Sequence, residues 1–356
     1  MQIDSGRLTA AAARIFEAGG CAADEARRVA QNLVDANLAG HDSHGILRVL
    51  RYVAWLKDGK VRPGQSITRV HDTPAMAVVD GHMGFGQTIC EQAMELLAEK
   101  AKAIGIGLVA IRHVGHTGRQ GAWAEQLARH GLISLHFLNT TGIGLMAAPF
   151  GGTDRRLSPS PITMCVPSPR SADGSEGPPI LLDFTTTVVA EGKLQVARNK
   201  GVPVPEGTIV DKAGNPTTDP ADFYAGGALL TIAGHKGHGL NILADLLAGT
   251  LSGGGCTAPG TTIMENAMTS IAINPGPLVD RAAYEAEILR FAGWVTASPP
   301  KDPAQPVLMP GEMEHNTRLK RLAEGIPIDD TTWSQILEGG ALVGVGAEEV
   351  TRLAGA

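Results

Sequence analysis

Many familiar signals are missing from this 356-residue chain. Its four cysteines, Cys21, Cys90, Cys165 and Cys256, are far apart and form no C-x-x-C pair. That pattern excludes a disulfide framework and points to a reduced, cytoplasmic protein. Aromatic residues make up 4% of the chain, so no aromatic cage for a ligand is visible. Neither sign of charge dominates: 30 Lys+Arg against 36 Asp+Glu leaves −6. The electrostatic footprint of a nucleic-acid or anionic-membrane binder is therefore absent, although a cleft can hold local charges that oppose the total. The start, MQIDSGRLTAAAARIF, has no basic segment followed by an apolar one, so no signal peptide is expected. Residues 131–153 carry no formal charge apart from any on His136, but five glycines, Asn139, Thr140, Thr141 and Pro149 interrupt them. A strand and a loop are expected there, not a membrane span.

Catalytic fingerprints are absent too. There is no G-x-x-x-x-G-K-[ST], no G-x-S-x-G and no H-E-x-x-H. Gly142, Gly144 and Ala147 formally match the dinucleotide fingerprint after the strand-like LISLHFL, but Pro149 follows two residues later. A helix cannot open there, and its N-terminal amides are what that fingerprint supplies. A Rossmann site is rejected.

What is present begins with periodicity. The first sixty residues pattern as helices: one capped by Ser5 and running to Gly19-Gly20, one over 22–39, and one from near Gly45 to Gly59. Strands are expected at SITRV, AMAVVD, IGLVAI (106–111), LISLHFL, 162–166, 179–183 and 268–273. Helices are expected near 88–104, 119–129, 237–251, 279–294, 312–323 and 331–338, a surface loop at 168–178, and a linker at TASPPKDPAQP. Short apolar strands alternating with helices predict an α/β sheet covered on both faces. The expected organisation is an α/β unit over 73–296 flanked by a helical unit built from 1–72 and 297–356.

Histidine is the residue that stands out. Three pairs share the spacing His-x-x-His: His41/His44, His113/His116 and His235/His238. All lie beside glycines, so turns are expected, and no Cys or carboxylate stands at ligand spacing, so no metal site is expected. Hydrogen bonding within turns is the bland alternative. A metal-dependent hydrolase or lyase, or a non-catalytic binding protein, remain the competing functional classes. Proton chemistry fits better. Ser43, His44 and Arg48 stand together in SHGILR, where a guanidinium, an imidazole and a helix start can cradle a carboxylate. His116 follows IGLVAI, and the carboxyl end of a strand is where α/β sheets place ligands.

Seven ordered stretches then carry a resemblance: GHDSHGILR with the tyrosine that follows, GHTGRQGAWAEQLARHGLISLHFLNT, APFGG, LLDFTTT, GVPVPEGTIVDKAGNPTTDP, HKGHGL, and LMPGEMEHNTR with GIPI. The chain resembles the malate/L-lactate dehydrogenase family of non-Rossmann type, and within it the bacterial hydroxycarboxylate dehydrogenase branch, which acts on bulkier 2-oxo acids. The resemblance implies a mixed-sheet, non-Rossmann nucleotide-binding fold and NAD, with NADP possible, as cofactor. It also implies a homodimer built partly by the helical ends. By motif, His116 would be the general acid/base and Arg48 would hold the substrate carboxylate. Ser43 and His44 would line the nicotinamide end. Gly118, Arg119, Gln120, Asp183, Phe184, Thr185, His235, Lys236, Pro310, Gly311 and Glu312 would complete the cofactor pocket. Ser160 stands where many relatives carry Asn and is left out of the site.

Overall fold

The computed structural model describes residues 1–141, 144–169, 177–260 and 263–356, apart from the side chains at 199 and 200. Most of the loop expected at 168–178, and Gly142 of the rejected fingerprint, lie outside the described residues.

A short strand, β1 (Gln2–Ile3), leads into α1 (Ser5–Ala18) and α2 (Ala23–Leu38). Asp4 rather than Ser5 caps α1, its carboxylate accepting from the Arg7 N–H; a carboxylate one residue earlier satisfies an orphan amide and complements the helix dipole. The third helix begins later than its sequence suggests. Two 3₁₀ turns, Asp42–His44 and Ile46–Arg48, precede α3 (Val49–Lys57).

The chain then builds β2 (Thr68–Asp72), β3 (Met76–Gly84), α4 (Gly86–Ile104), β4 (Ile106–Val114), α5 (Gly121–Arg129), β5 (Ile133–Thr141), β6 (Ile162–Val166) and β7 (Ile180–Phe184). An excursion follows: α6 (Glu191–Lys200), β8 (Ile209–Val210), β9 (Pro216–Thr217), α7 (Pro220–Tyr224) and β10 (Ala228–Leu229). Its three strands form a small separate sheet around Leu194, Ile209, Phe223 and Leu229. These strands are two residues long, too short to leave a period in the sequence. The chain re-enters the main sheet through α8 (His235–Ser252) and β11 (Glu265–Ile273), and ends with α9 (Arg281–Thr296), α10 (Glu312–Glu324), β12 (Ile326–Pro327), α11 (Asp330–Leu342) and α12 (Ala347–Ala354).

The main sheet has seven strands in the order β2-β3-β4-β11-β5-β6-β7, and only β3–β4 is parallel. That is a mixed sheet, not the parallel sheet of a Rossmann fold. Both faces are covered, and strand alternation shows how. Met268 and Leu138 share a core with Ile89, Ala93 and Leu97 of α4, while neighbouring Thr269 and Asn139 bond to Leu247 O and Asp245 of α8.

The chain ends meet. β1 pairs antiparallel with β12, and one core joins Leu8, Ile15, Phe16 and Leu33 to Ile326, Trp333, Ile336 and Val350. By contrast α9 has no buried residue, and Phe291 and Trp294 on it are exposed.

Candidate functional site

Two turns meet at the edge of the end-built core. The first is 41–48. Gly45 lies directly under Asn37: a Cβ there would sit 2.2 Å from Asn37 Oδ1, which already accepts the Ile46 N–H at 2.7 Å. The chain therefore folds back tightly, and Ser43, His44 and Arg48 emerge on one side. Arg48 Nε donates to Ser43 O at 2.7 Å, and Ser43 Oγ lies 3.1 Å from His44 Nδ1. No other hydrogen bond or ion pair holds the Arg48 guanidinium among the described residues, so its terminal nitrogens are free for a ligand. A helix start at Gly45 was expected to contribute to this cradle; with α3 starting at Val49, the Arg48 guanidinium supplies the positive charge instead.

The second turn leaves β4 at Val114 and reaches α5 at Gly121. Here Gly118 takes a left-handed φ of +73° beside Asn32 and Gln87. The His116 ring stacks on the His44 ring, with centroids 5.6 Å apart and planes 8° from parallel. The two turns therefore converge, and Ser43, His44, Arg48 and His116 share one cleft. His116 Nδ1 lies 2.6 Å from Tyr52 Oη, which accepts from Gln87 Nε2 at 3.1 Å. Tyr52 and Gln87 belong to the site although the sequence reading assigned them no role. Tyr52 was visible as the tyrosine one turn after Arg48; nothing in the sequence ties Gln87 to either.

Burial lowers the His116 pKa well below 6.5, and Arg48, His44 and Arg51 push it the same way. Burial with Arg48, His41 and Arg119 takes His44 down to about 3. Burial raises Tyr52 to about 12. At neutral pH the cleft therefore holds two neutral imidazoles and a neutral phenol beside a guanidinium. The main influence on Arg48 is burial, lowering its proton affinity; Arg51 acts the same way, and Glu191 at the start of α6 opposes both. α6 reaches the cleft itself, since a Cβ on Gly192 would lie 3.2 Å from that of Ser43.

The other expected residues fall into two neighbourhoods. Arg119 and Gln120 are buried beside the His116 turn. Arg119 pairs with Glu125 at 2.6 Å, and Gln120 Nε2 donates to Thr117 Oγ1 at 2.6 Å. Asp183, at the end of β7, is engaged by the protein: it accepts from Gly121 N at 2.7 Å and from Thr163 Oγ1 at 2.9 Å. It thereby fixes the start of α5. Phe184 ends β7, and Thr185 Oγ1 donates to Pro159 O. Pro310 O accepts from Leu181 N at 3.0 Å, Gly311 has φ +96°, and Glu312 accepts from Met309 N at 2.7 Å, so this loop is stitched to β7. Farther along, His235 and Lys236 open α8, where a turn was expected, and His235 meets Phe150 edge-on at 5.9 Å. Among the described residues no hydrogen bond, ion pair or ring contact joins them to the His116 turn.

Among the described residues, several buried polar atoms have no partner, including Arg119 Nε and Nη1, Gln120 Oε1, Asn32 Oδ1 and Gln87 Oε1 near the His116 turn, and Asn241 Oδ1 on α8. Donors and acceptors of this kind, left unpaired in the interior, suit a ligand rich in amide, hydroxyl and phosphate groups. Among the described residues no three His, Cys, Asp or Glu side chains converge as a metal ion requires. Two of the three histidine pairs divide between different partners, His41 with Glu314 and His44 with His116, His113 with Asp80 and His116 with Tyr52, while His235 and His238 both meet Phe150. Nor, among the described residues, is any helix long and apolar enough to cross a membrane.

Comparison with known proteins agrees with this architecture. Hydroxycarboxylate dehydrogenase B of Escherichia coli O157:H7 is 42% identical over 341 residues, covering 94% of this chain and 92% of that protein. The solved sulfolactate dehydrogenase of Methanocaldococcus jannaschii superposes with a TM-score of 0.86 at 31% identity, covering 98% of this chain and 99% of the other. The malate dehydrogenase structure from Pyrococcus horikoshii OT3 gives 0.85 at 30% identity, covering 97% and 96%. The profile described as malate/L-lactate dehydrogenase matches residues 3–337, and the chain belongs to that family.

Proposed function

We propose that this protein interconverts a 2-hydroxy acid and a 2-oxo acid by hydride transfer at C2, with NAD rather than NADP as cofactor. The observation that carries the proposal is the convergence of the His44–His116 stack with the Arg48 guanidinium in one cleft. The names of the relatives, which span hydroxycarboxylate, sulfolactate and malate dehydrogenases, support the substrate class. The preference for NAD rests on the resemblance to the hydroxycarboxylate branch.

Arg48 holds the substrate carboxylate with its free terminal nitrogens, a paired geometry that fixes which face of C2 is presented. The oxygen on C2 then lies against His116 Nε2. In the oxidising direction neutral His116 takes the hydroxyl proton at Nε2 while Nδ1–H donates to Tyr52 Oη. In the reducing direction protonated His116 returns that proton to the carbonyl oxygen as negative charge develops there. The depressed pKa keeps His116 neutral at pH 7 and so able to accept the proton. The bound carboxylate suits the acid, because its charge opposes the repulsion from Arg48 that holds the pKa down. When bound, the nicotinamide supplies or accepts the hydride. Gly118, Arg119 and Gln120 would hold it on the near side, with Phe184, Thr185, His235, Lys236 and the 310–312 loop beyond, and Asp183 positioning α5.

We further assign residues 1–72 with 297–356 as a helical unit and 73–296 as the cofactor-binding unit of a cytoplasmic homodimer. Exposed apolar side chains such as Leu243 on α8 and Phe291 and Trp294 on α9 favour a second copy as partner. Steady-state rates with NADH and NADPH against a panel of 2-oxo acids test the activity. Failure to oxidise either cofactor with every 2-oxo acid would overturn it. A chelator is expected to leave the rate unchanged, and zinc-restored activity would favour a metal enzyme instead.

A further inference from the structure

The first half of the turn that carries Ser43, His44 and Arg48 has little apolar packing of its own: residues 41–44 are all partly exposed, while Ile46 seats the second half in the core. What fixes it is polar and comes from the far end of the chain. Arg321, in the last turn of α10, donates to both oxygens of Asp42, Nη1 to Oδ1 at 2.6 Å and Nη2 to Oδ2 at 3.0 Å. The same Nη1 donates to Asn37 O. Asn37 Nδ2 also donates to Asp42 Oδ1 at 2.6 Å, while Asn37 Oδ1 holds the Ile46 N–H. One guanidinium thus ties the end of α2 to the first residue of the 3₁₀ turn, and the amide of Asn37 ties both to the turn that ends at Arg48. Two residues separate Asp42 from Gly45 and five separate it from Arg48, so a displacement of Asp42 is carried directly to the group that would hold the substrate. A second link runs from the same helix, Glu314 lying 3.5 Å from His41 Nε2.

We propose that Arg321 is a positioning residue for the substrate-carboxylate site, acting through Asp42 and Asn37 on Arg48. It touches neither reacting atoms nor cofactor. Its fork geometry matters, because the planar guanidinium presents paired N–H donors to both carboxylate oxygens while one of its nitrogens also reaches a backbone carbonyl. The inference rests on the assignment of Arg48 to the substrate carboxylate given above. Misplacement of a binding group by about 1 Å can cost on the order of a hundredfold in rate, and loosening this turn is expected to appear in substrate affinity.

The test uses the full-length protein with Arg321→Ala, Arg321→Lys, Asp42→Asn and the double variant Arg321→Ala/Asp42→Asn, beside Arg48→Ala. Substrate KM, kcat and NADH affinity by fluorescence titration are measured for each. Arg321→Ala and Asp42→Asn are each expected to raise the KM for the 2-oxo acid about tenfold with NADH affinity within about twofold of the parent, and the double variant to be no worse than either single one. Arg321→Lys, which keeps the charge and is the more conservative change, is expected to fall between parent and Ala, and added guanidinium at millimolar concentration to recover part of the Ala defect. A parental KM in both Arg321 variants would overturn the proposal, as would NADH affinity falling in step with substrate affinity. If Arg48→Ala raises KM while the Arg321 variants do not, only the positioning role fails. If Arg48→Ala leaves KM unchanged, the assignment beneath it fails.

Discussion

His113/His116 and His235/His238 have the same spacing and the same glycine-rich setting, yet they sit in different physical environments. The first pair straddles the end of a central strand: His113 bonds to Asp80 at 2.8 Å, and His116 turns inward onto Tyr52 and His44. The second pair occupies the first turn of α8, where His235 meets Phe150 and His238 Nδ1 accepts the Phe150 N–H at 3.3 Å. Spacing alone therefore carried no chemistry. Chemistry came from what else was brought to each histidine, and only the strand end delivered an imidazole, a phenol and a guanidinium together.

The largest test of that contrast is His116→Ala. Turnover should fall by about 10²–10⁴-fold, with NADH binding by fluorescence titration nearly intact; parental kcat would end the assignment. Next is Arg48→Ala, whose expected effect is a KM for 2-oxo acids raised by about 10–100-fold, since a charge-assisted pair is lost; identical KM values across the panel would contradict it. Tyr52→Phe removes the partner of Nδ1 and should lower kcat about tenfold. It should also move the acidic limb of the hydroxy-acid oxidation profile. In the parent the acidic limb of kcat/KM, which reports the free enzyme, is expected below pH 6.5, because burial keeps His116 neutral to lower pH than a free imidazole. His238→Ala, at the contrasting pair, should change kcat and KM less than about twofold.

The smallest expected effect concerns stability. His136 is buried between Ser270 Oγ at 2.8 Å and Ser134 Oγ at 3.0 Å, and burial lowers its pKa to about 3. Its folded-state pKa lies below the unfolded value, so the unfolded chain binds more protons and stability declines as the pH drops from 6.5 toward 3. Urea denaturation at pH 7 and pH 5 should show His136→Asn losing less stability than the parent between the two, by up to about 2 kcal/mol. Equal losses would show that His136 titrates normally.

Much of this was visible in the linear sequence, and for identifiable reasons. Amphipathic helices such as α2 and α4, and apolar strands such as β4 and β5, announce themselves because burial repeats with the period of the element. SHGILR and HVGHTGR could be singled out because each compresses several reactive groups into one short turn. The small β8–β9–β10 sheet could not, being held by pairings of two residues each. The late start of α3 was hidden because Asn37, eight residues before Gly45, forces the tight fold-back. Gln87 and Arg321 were equally hidden: each reaches its partner across dozens to hundreds of residues, through a contact that leaves no local pattern. Asp183 shows a subtler gap. Its motif was recognisable, but its bonds to Gly121 and Thr163 are a matter of three-dimensional placement.

The unburied helix α9 also provides an optical handle. Of the four tryptophans, Trp55, Trp123 and Trp333 are 8%, 4% and 9% exposed, while Trp294 on α9 is 70% exposed. Iodide should therefore quench chiefly one indole, and the emission of that indole should shift to the blue as protein concentration rises if another copy settles over it.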